Sequence, residues 1–126
     1  MEQFFKSVLE HDRAAIVLCN TDHTIIYMNP AAIRRYSKRG GDALIGKNLL
    51  DCHSEGSREI IQKVVSWFAQ SESNNMMFIY NNQSENKDVY MVALRDETGR
   101  LIGYYEKHEY RTAETAAPYN FDQSLI

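Results

Sequence analysis

The chain has 126 residues, which suits a single domain with one hydrophobic core. Hydrophobic residues make up 44% and charged residues 25%, the ordinary balance of a soluble globular protein. The formal net charge of −3 argues against general binding to nucleic acid or anionic membranes, and no apolar run approaches the length needed to cross a bilayer.

The N-terminus lacks a basic stretch followed by an apolar one, so no signal peptide is expected. Residues 2–11, EQFFKSVLEH, place Phe4, Phe5, Val8 and Leu9 in one stripe at helical spacing. So short a helix is marginal alone and needs a surface to cover, either its own sheet or a second copy of the chain. Ile16 to Cys19 is apolar and β-branched, and reads as a strand. Asn20-Thr21-Asp22-His23 is turn chemistry, because short polar side chains bond the local backbone. Ile25 to Met28 is a second strand, stopped at Asn29-Pro30, and Pro30 suits the first position of a helix that runs to Tyr36.

Gly40-Gly41 breaks that helix, and Asp42 to Gly46 reads as one short turn closed by Gly46. Ser54 caps a longer helix over 55–70, whose Ile60, Ile61, Val64, Val65, Trp67 and Phe68 recur at helical spacing. Three strands follow, Met76 to Tyr80, Asp88 to Arg95 and Leu101 to Tyr110. Between the last two, Asp96-Glu97-Thr98-Gly99 is a hairpin turn that needs a residue of positive φ. The tail after Ala113 contains Pro118 and no helical period, so it is extended or disordered, with Tyr119, Phe121, Leu125 and Ile126 as anchors. Helices on one side of an antiparallel sheet make an α+β domain.

Residues 16–32, IVLCNTDHTIIYMNPAA, resemble the opening of a PAS domain, a turn such as D-x-x-G, an apolar strand and N-x-A. Ile45-Gly46-Lys47-Asn48-Leu49-Leu50-Asp51 looks like the family's L-I-G-K-x-L-x-D step, and residues 93–103, ALRDETGRLIG, are similar to its closing hairpin, P-x-R-D-E-x-G-x-x-x-G. Asp51-Cys52-His53 also resembles a step in a PAS subfamily often joined to hemerythrin-like modules. The resemblance implies a five-stranded antiparallel sheet over 12–112, with an amphipathic helix at 1–11 before it and the tail at 113–126 behind. Tyr110-Arg111-Thr112 stand where many PAS sensors carry D-I-T, and no heptads follow, so no signalling coiled coil is expected. No kinase, cyclase or DNA-binding segment is present, which makes a separate signalling protein the expected partner.

The candidate chemistry is sparse. A light-sensing flavin domain of this superfamily uses G-x-N-C-R-F-L-Q, but Leu49 stands where its cysteine belongs, so adduct photochemistry is disfavoured while noncovalent flavin stays open. Haem would need an axial histidine, and His53, just before the long helix, is the best placed of His11, His23, His53 and His108. A partly exposed histidine beside a helix N-terminus is the simpler account. Asp51, Cys52, His53 and Glu55 lack the paired spacing of a zinc site. Arg34, Arg35, Lys38 and Arg39 form a basic cluster around Tyr36, best explained as a solvated helix end. Cys19 and Cys52 are expected to be buried, reduced thiols.

The resemblance brings Ile33, Tyr36, Leu44, Leu49, Ile60, Val64, Phe78, Met91, Ala93 and Tyr105 around one central space, with His53 at its border. Such residues either line a small-molecule pocket or fill a core, and the sequence leans to the filled core without a cofactor. An isomerase-like enzyme is the rival class, with Asp51, His53 and Tyr105 as its only candidates and no spacing that recommends them. The expectation is a stand-alone, cytoplasmic, bacterial PAS-like sensor or interaction module, non-enzymatic and homodimeric through Phe4, Phe5, Val8 and Leu9.

Overall fold

In the computed structural model, which describes residues 1–121, the chain folds around one antiparallel sheet of five strands. These are β1 (Val17–Asn20), β2 (Ile25–Met28), β3 (Met76–Asn82), β4 (Lys87–Arg95) and β5 (Leu101–Tyr110), in the spatial order β2-β1-β5-β4-β3. The helices are α1 (Glu2–Glu10), α2 (Pro30–Arg35) and α3 (Glu55–Gln70), with 3-10 turns at Ser37–Arg39, Gly41–Leu44 and Leu49–Cys52. Strands β2 and β3 occupy opposite edges, so the chain between them must cross a whole face of the sheet. That crossing, made of α2, the 3-10 turns and α3, is what encloses an interior.

The elements lie close to where the sequence puts them. Strand β3 runs on through Asn81 and Asn82, because these residues pair with Asp88 and Lys87 and shorten the polar loop. Helix α3 begins where Ser54 Oγ accepts from the Ser57 N–H at 3.3 Å. Val64 and Phe68, one turn apart, are its fully buried contacts with the core. At its other end the Arg95 guanidinium donates to the carbonyls of Phe68, Ser71 and Asn74 at 2.7, 3.0 and 3.1 Å. One side chain of β4 thereby satisfies carbonyls that the end of a helix leaves open.

Asn29 joins several segments of the fold. It is fully buried. Its Oδ1 accepts from the Ala32 N–H, capping α2, and from the Ile16 N–H just before β1, both at 2.9 Å. Its Nδ2 donates to the Leu9 and Ala14 carbonyls at 3.0 and 2.9 Å, with a longer contact to Asp12 at 3.4 Å. One amide thus fixes the end of α1, the linker, β1 and α2 together.

Beyond that bond and one from Tyr27 Oη to Glu10 at 2.9 Å, α1 stands clear of the body. No residue of α1 is buried, and Phe4, Phe5 and Val8 are 70%, 63% and 69% exposed. Its own sheet leaves these three uncovered, while Leu9 at the end of the stripe is half-buried. In the tail, Tyr119 and Phe121 are exposed and pack on each other with centroids 5.0 Å apart, while Leu125 and Ile126 lie outside the described residues. Cys52 departs from expectation: Cys19 is buried but Cys52 is exposed, since the 3-10 turn that carries it sits at the surface.

Strands β1 and β5 approach closely at Gly103, where a Cβ would collide with the Cys19 carbonyl. Gly103→Ala should therefore cost about 1–3 kcal/mol in urea unfolding, as an overpacked site does. Asn29→Asp keeps both acceptor bonds but turns an oxygen toward three carbonyls. It should leave α2 capped and free the linker, read as faster amide exchange across residues 12–15 than in the wild type while Ile16 and Ala32 stay protected. Asn29→Ala, which removes both functions, should cost about 2–4 kcal/mol by the same unfolding measurement.

Candidate functional site

A cavity of about 400 Å³ lies between the sheet and the crossing segment. The interior is therefore not filled, contrary to the sequence expectation. Most of its wall is apolar: Val17, Ile25 and Met28 from the first hairpin, Leu44 and Leu49 from the turns, Ile60 and Ile61 from α3, Ile79 and Met91 from β3 and β4. Polar groups enter in two places.

The first is a chain of hydrogen bonds between Cys19, Tyr104 and His23. Tyr104 Oη lies 2.7 Å from His23 Nδ1, and its ring meets the imidazole edge-on with centroids 5.6 Å apart. Burial lowers the His23 pKa, which keeps the ring neutral and able to accept. Burial also raises the Cys19 thiol to about 11, against the opposing effect of its bond to Tyr104, so Cys19 stays protonated at neutral pH. These groups knit β1, β5 and the first turn rather than offering a nucleophile.

The second gathers Tyr36 and Arg39 from the segment after β2, Tyr80 from β3, and Glu106 and His108 from β5. Burial raises the pKa of Tyr36 and of Tyr80, with Glu106 as the next cause in both, so all remain phenols. Behind them runs an ionic chain. Arg35 grips Glu85 with two bonds, Nη1 to Oε1 at 2.8 Å and Nη2 to Oε2 at 3.0 Å. Glu85 Oε2 meets Lys87 Nζ at 3.2 Å, and Lys87 Nζ meets His108 Nδ1 at 2.8 Å. Lys87 is fully buried, with the Tyr110 ring centroid 5.4 Å away. A buried ammonium is tolerable only when paired, and Glu85 with the two rings does that.

The sequence-predicted residues divide. Tyr36, Leu44, Leu49, His53, Ile60, Met91 and Tyr105 touch the cavity. Ile33 and Ala93 pack against the core beside it, and Val64 is buried within that core. Phe78 is a correction: it is 55% exposed and lies against Tyr90 with centroids 5.5 Å apart. Its register partner is Tyr90, whereas Met77 pairs with the cavity residue Met91, so strand alternation sends Phe78 to the outer face. Tyr105 is a different case, since it borders the cavity although its strand parity is outward. It pairs with Leu18 and Val92, while Tyr104 pairs with Cys19 and Ala93 on the inner face.

Sequence reasoning missed Tyr80, Tyr104, Glu106, His108 and Lys87. Parity along β5 from Cys19 and Ala93 holds the signal for Tyr104, Glu106 and His108. Tyr80 had none, because it reaches the cavity next to Ile79 through a bulge between Phe78 and Tyr80. The basic cluster proves to be split: Arg35 is locked to Glu85 and Arg39 borders the cavity, while Arg34 and Lys38 are exposed. Among the described residues, no three His, Cys, Asp or Glu side chains are grouped to hold a metal ion.

Against known proteins, the sequence matches the family model described as PAS domain over residues 13–106. The chain belongs to the PAS domain family. No curated protein matches it significantly. Among solved structures it is similar to the PAS domain of a Colwellia psychrerythraea protein, at 15% identity and a TM-score of 0.64, covering 88% of this chain and 97% of that one. It is also similar to the PAS domain of BvgS from Bordetella pertussis, at 13% identity and a TM-score of 0.61, covering 89% and 87%. A third likeness is to the Aer2 receptor from Vibrio cholerae, described as a dual PAS-heme oxygen sensor, at 19% identity and a TM-score of 0.51, covering 75% and 90%. No helix among the described residues is long and apolar enough to cross a membrane.

The ionic chain has a pH signature. Arg35, foremost, holds the Glu85 carboxyl at about 2, down from 4.5, with help from Lys87. A depressed carboxyl stabilises the fold above its unfolded pKa, and that share is lost as pH falls from about 4.5 toward about 2. The stability gap between wild type and Glu85→Gln should therefore be full at about pH 6 and close on acidification through that window, read by urea unfolding at stepped pH.

Proposed function

We propose that this chain is a sensory module that holds a compact small molecule in its core and passes the state of that core to α1 and to a second copy of the chain. The single observation that carries the reading is the cavity, apolar over most of its wall with converging polar groups. That is the usual character of a small-molecule site, and about 400 Å³ sits near the low end of the ~300–1,000 Å³ range for such sites. Homologous PAS domains are sensory signalling modules, and one neighbour is described as binding haem.

Haem is the second reading, and one observation favours it. His53 borders the cavity and its Nδ1 lies 2.9 Å from the Leu49 carbonyl, which leaves Nε2 for an iron. The small volume and the Glu106 carboxylate in the wall favour a smaller, uncharged occupant. Binding without turnover is also the better-supported role. His53 spends its Nδ1 on backbone, Tyr105 has outward parity, and Asp51 is exposed and away from the cavity wall.

The partner reading rests on α1. Phe4, Phe5 and Val8 form a bare apolar stripe on a helix that Asn29 ties directly to β1. A second copy covering that stripe accounts for an otherwise costly exposure, and a separate cytoplasmic signalling protein reads the dimer. Phe5→Asp combined with Leu9→Asp should convert a dimer to a monomer in sedimentation; a dimer that persists rejects the α1 interface. Native mass spectrometry should show a retained small mass lost on denaturation. A Soret band in the purified protein would select haem instead.

A further inference from the structure

The further inference rests on the cavity reading and specifies which edge of a ligand the site takes. His108 is almost wholly buried, its side chain 5% exposed, and its two ring nitrogens face different partners. Nδ1 lies 2.8 Å from Lys87 Nζ, which is itself paired with Glu85 at 3.2 Å. An ammonium has three donors and no lone pair, so at this contact the imidazole must accept. The proton of the neutral ring is then on Nε2. Nε2 faces Glu106 Oε2 at 3.7 Å, too long for a direct hydrogen bond. Both residues line the cavity. The wall thus presents an N–H donor beside a carboxylate acceptor, and neither satisfies the other.

We propose that His108 and Glu106 select compact, uncharged ligands with a carboxamide or lactam edge. The ligand carbonyl accepts from His108 Nε2–H, and the ligand N–H donates to the Glu106 carboxylate. A planar amide sets these two groups side by side, so bonds of ordinary length converge on it from atoms 3.7 Å apart. Charge works against the alternatives. The corner holds both signs, Glu106 against Arg39 at the wall and Lys87 behind His108, so neither an anion nor a cation meets a matched field. The apolar body of the ligand rests on Leu44, Leu49 and Met91. Lys87 acts as a positioning residue, because it sets the tautomer without touching the ligand.

The test uses probes of one shape: benzamide, benzoate, benzylamine and toluene, titrated into the full chain by ligand-observed NMR. Benzamide should bind about tenfold more tightly than each of the others, the scale of one or two added hydrogen bonds. Glu106→Leu, at a side chain 44% exposed and so tolerant of change, should erase that preference. Toluene binding as tightly as benzamide, or tighter binding of benzoate or benzylamine, overturns the edge assignment and leaves the cavity reading standing. No binding by any of the four overturns both. Imidazole nitrogen shifts provide a check independent of any variant. They should show His108 neutral with its proton on Nε2, and a proton on Nδ1 overturns the proposal.

Discussion

The structure depends on one buried amide. A short helix such as α1 has too little contact of its own to hold a position, and none of its residues is buried. Asn29 resolves this through backbone groups rather than side-chain packing. Its oxygen serves β1 and α2, its nitrogen serves the last carbonyls of α1 and the linker. The two bonds to its oxygen are buried and those from its nitrogen part-buried, so breaking them leaves polar groups of a fully buried amide unpaired. The result is a rigid joint beneath a nearly free lever.

The cavity shows a second economy. Its apolar wall is assembled from every strand and from the segment that crosses the sheet, but its charge comes from one corner. There Arg35, Glu85, Lys87 and His108 form an alternating chain from α2 through the β3–β4 loop to β5. A buried lysine in isolation would lose its proton or unfold the site. In this chain Glu85 balances it on one side and His108 takes its hydrogen bond on the other. The same contacts orient the imidazole, so a structural solution to burying one charge also defines the chemistry of the cavity wall.

Two ends of β4 and β5 do different work. At the hairpin end, Arg95 satisfies the carbonyls that close α3, and Gly103 lets β1 approach β5. At the far end, Lys87 and His108 are buried as polar residues, and Arg111 extends the pairing by bonding Asp88 and Glu109.

The sequence by itself determined the elements and the family. Local signals were strong: Asn29-Pro30 at a helix start, Ser54 before a helical period, Gly99 in a hairpin turn and the apolar runs of the five strands. It also marked Asn29 and Gly103 as parts of motifs, without showing that one binds four segments and the other admits a neighbouring carbonyl. Only the tertiary structure decided which strand residues look inward. Alternation leaves two choices of parity, and for Phe78 and Tyr105 the apolar or aromatic side chain stood on the outer choice. The polar corner was invisible for a related reason. Tyr80, Lys87, Glu106 and His108 lie on three different strands, and only strand register, with a bulge in β3, brings them beside Tyr36, the one member of the corner that the sequence placed near the interior.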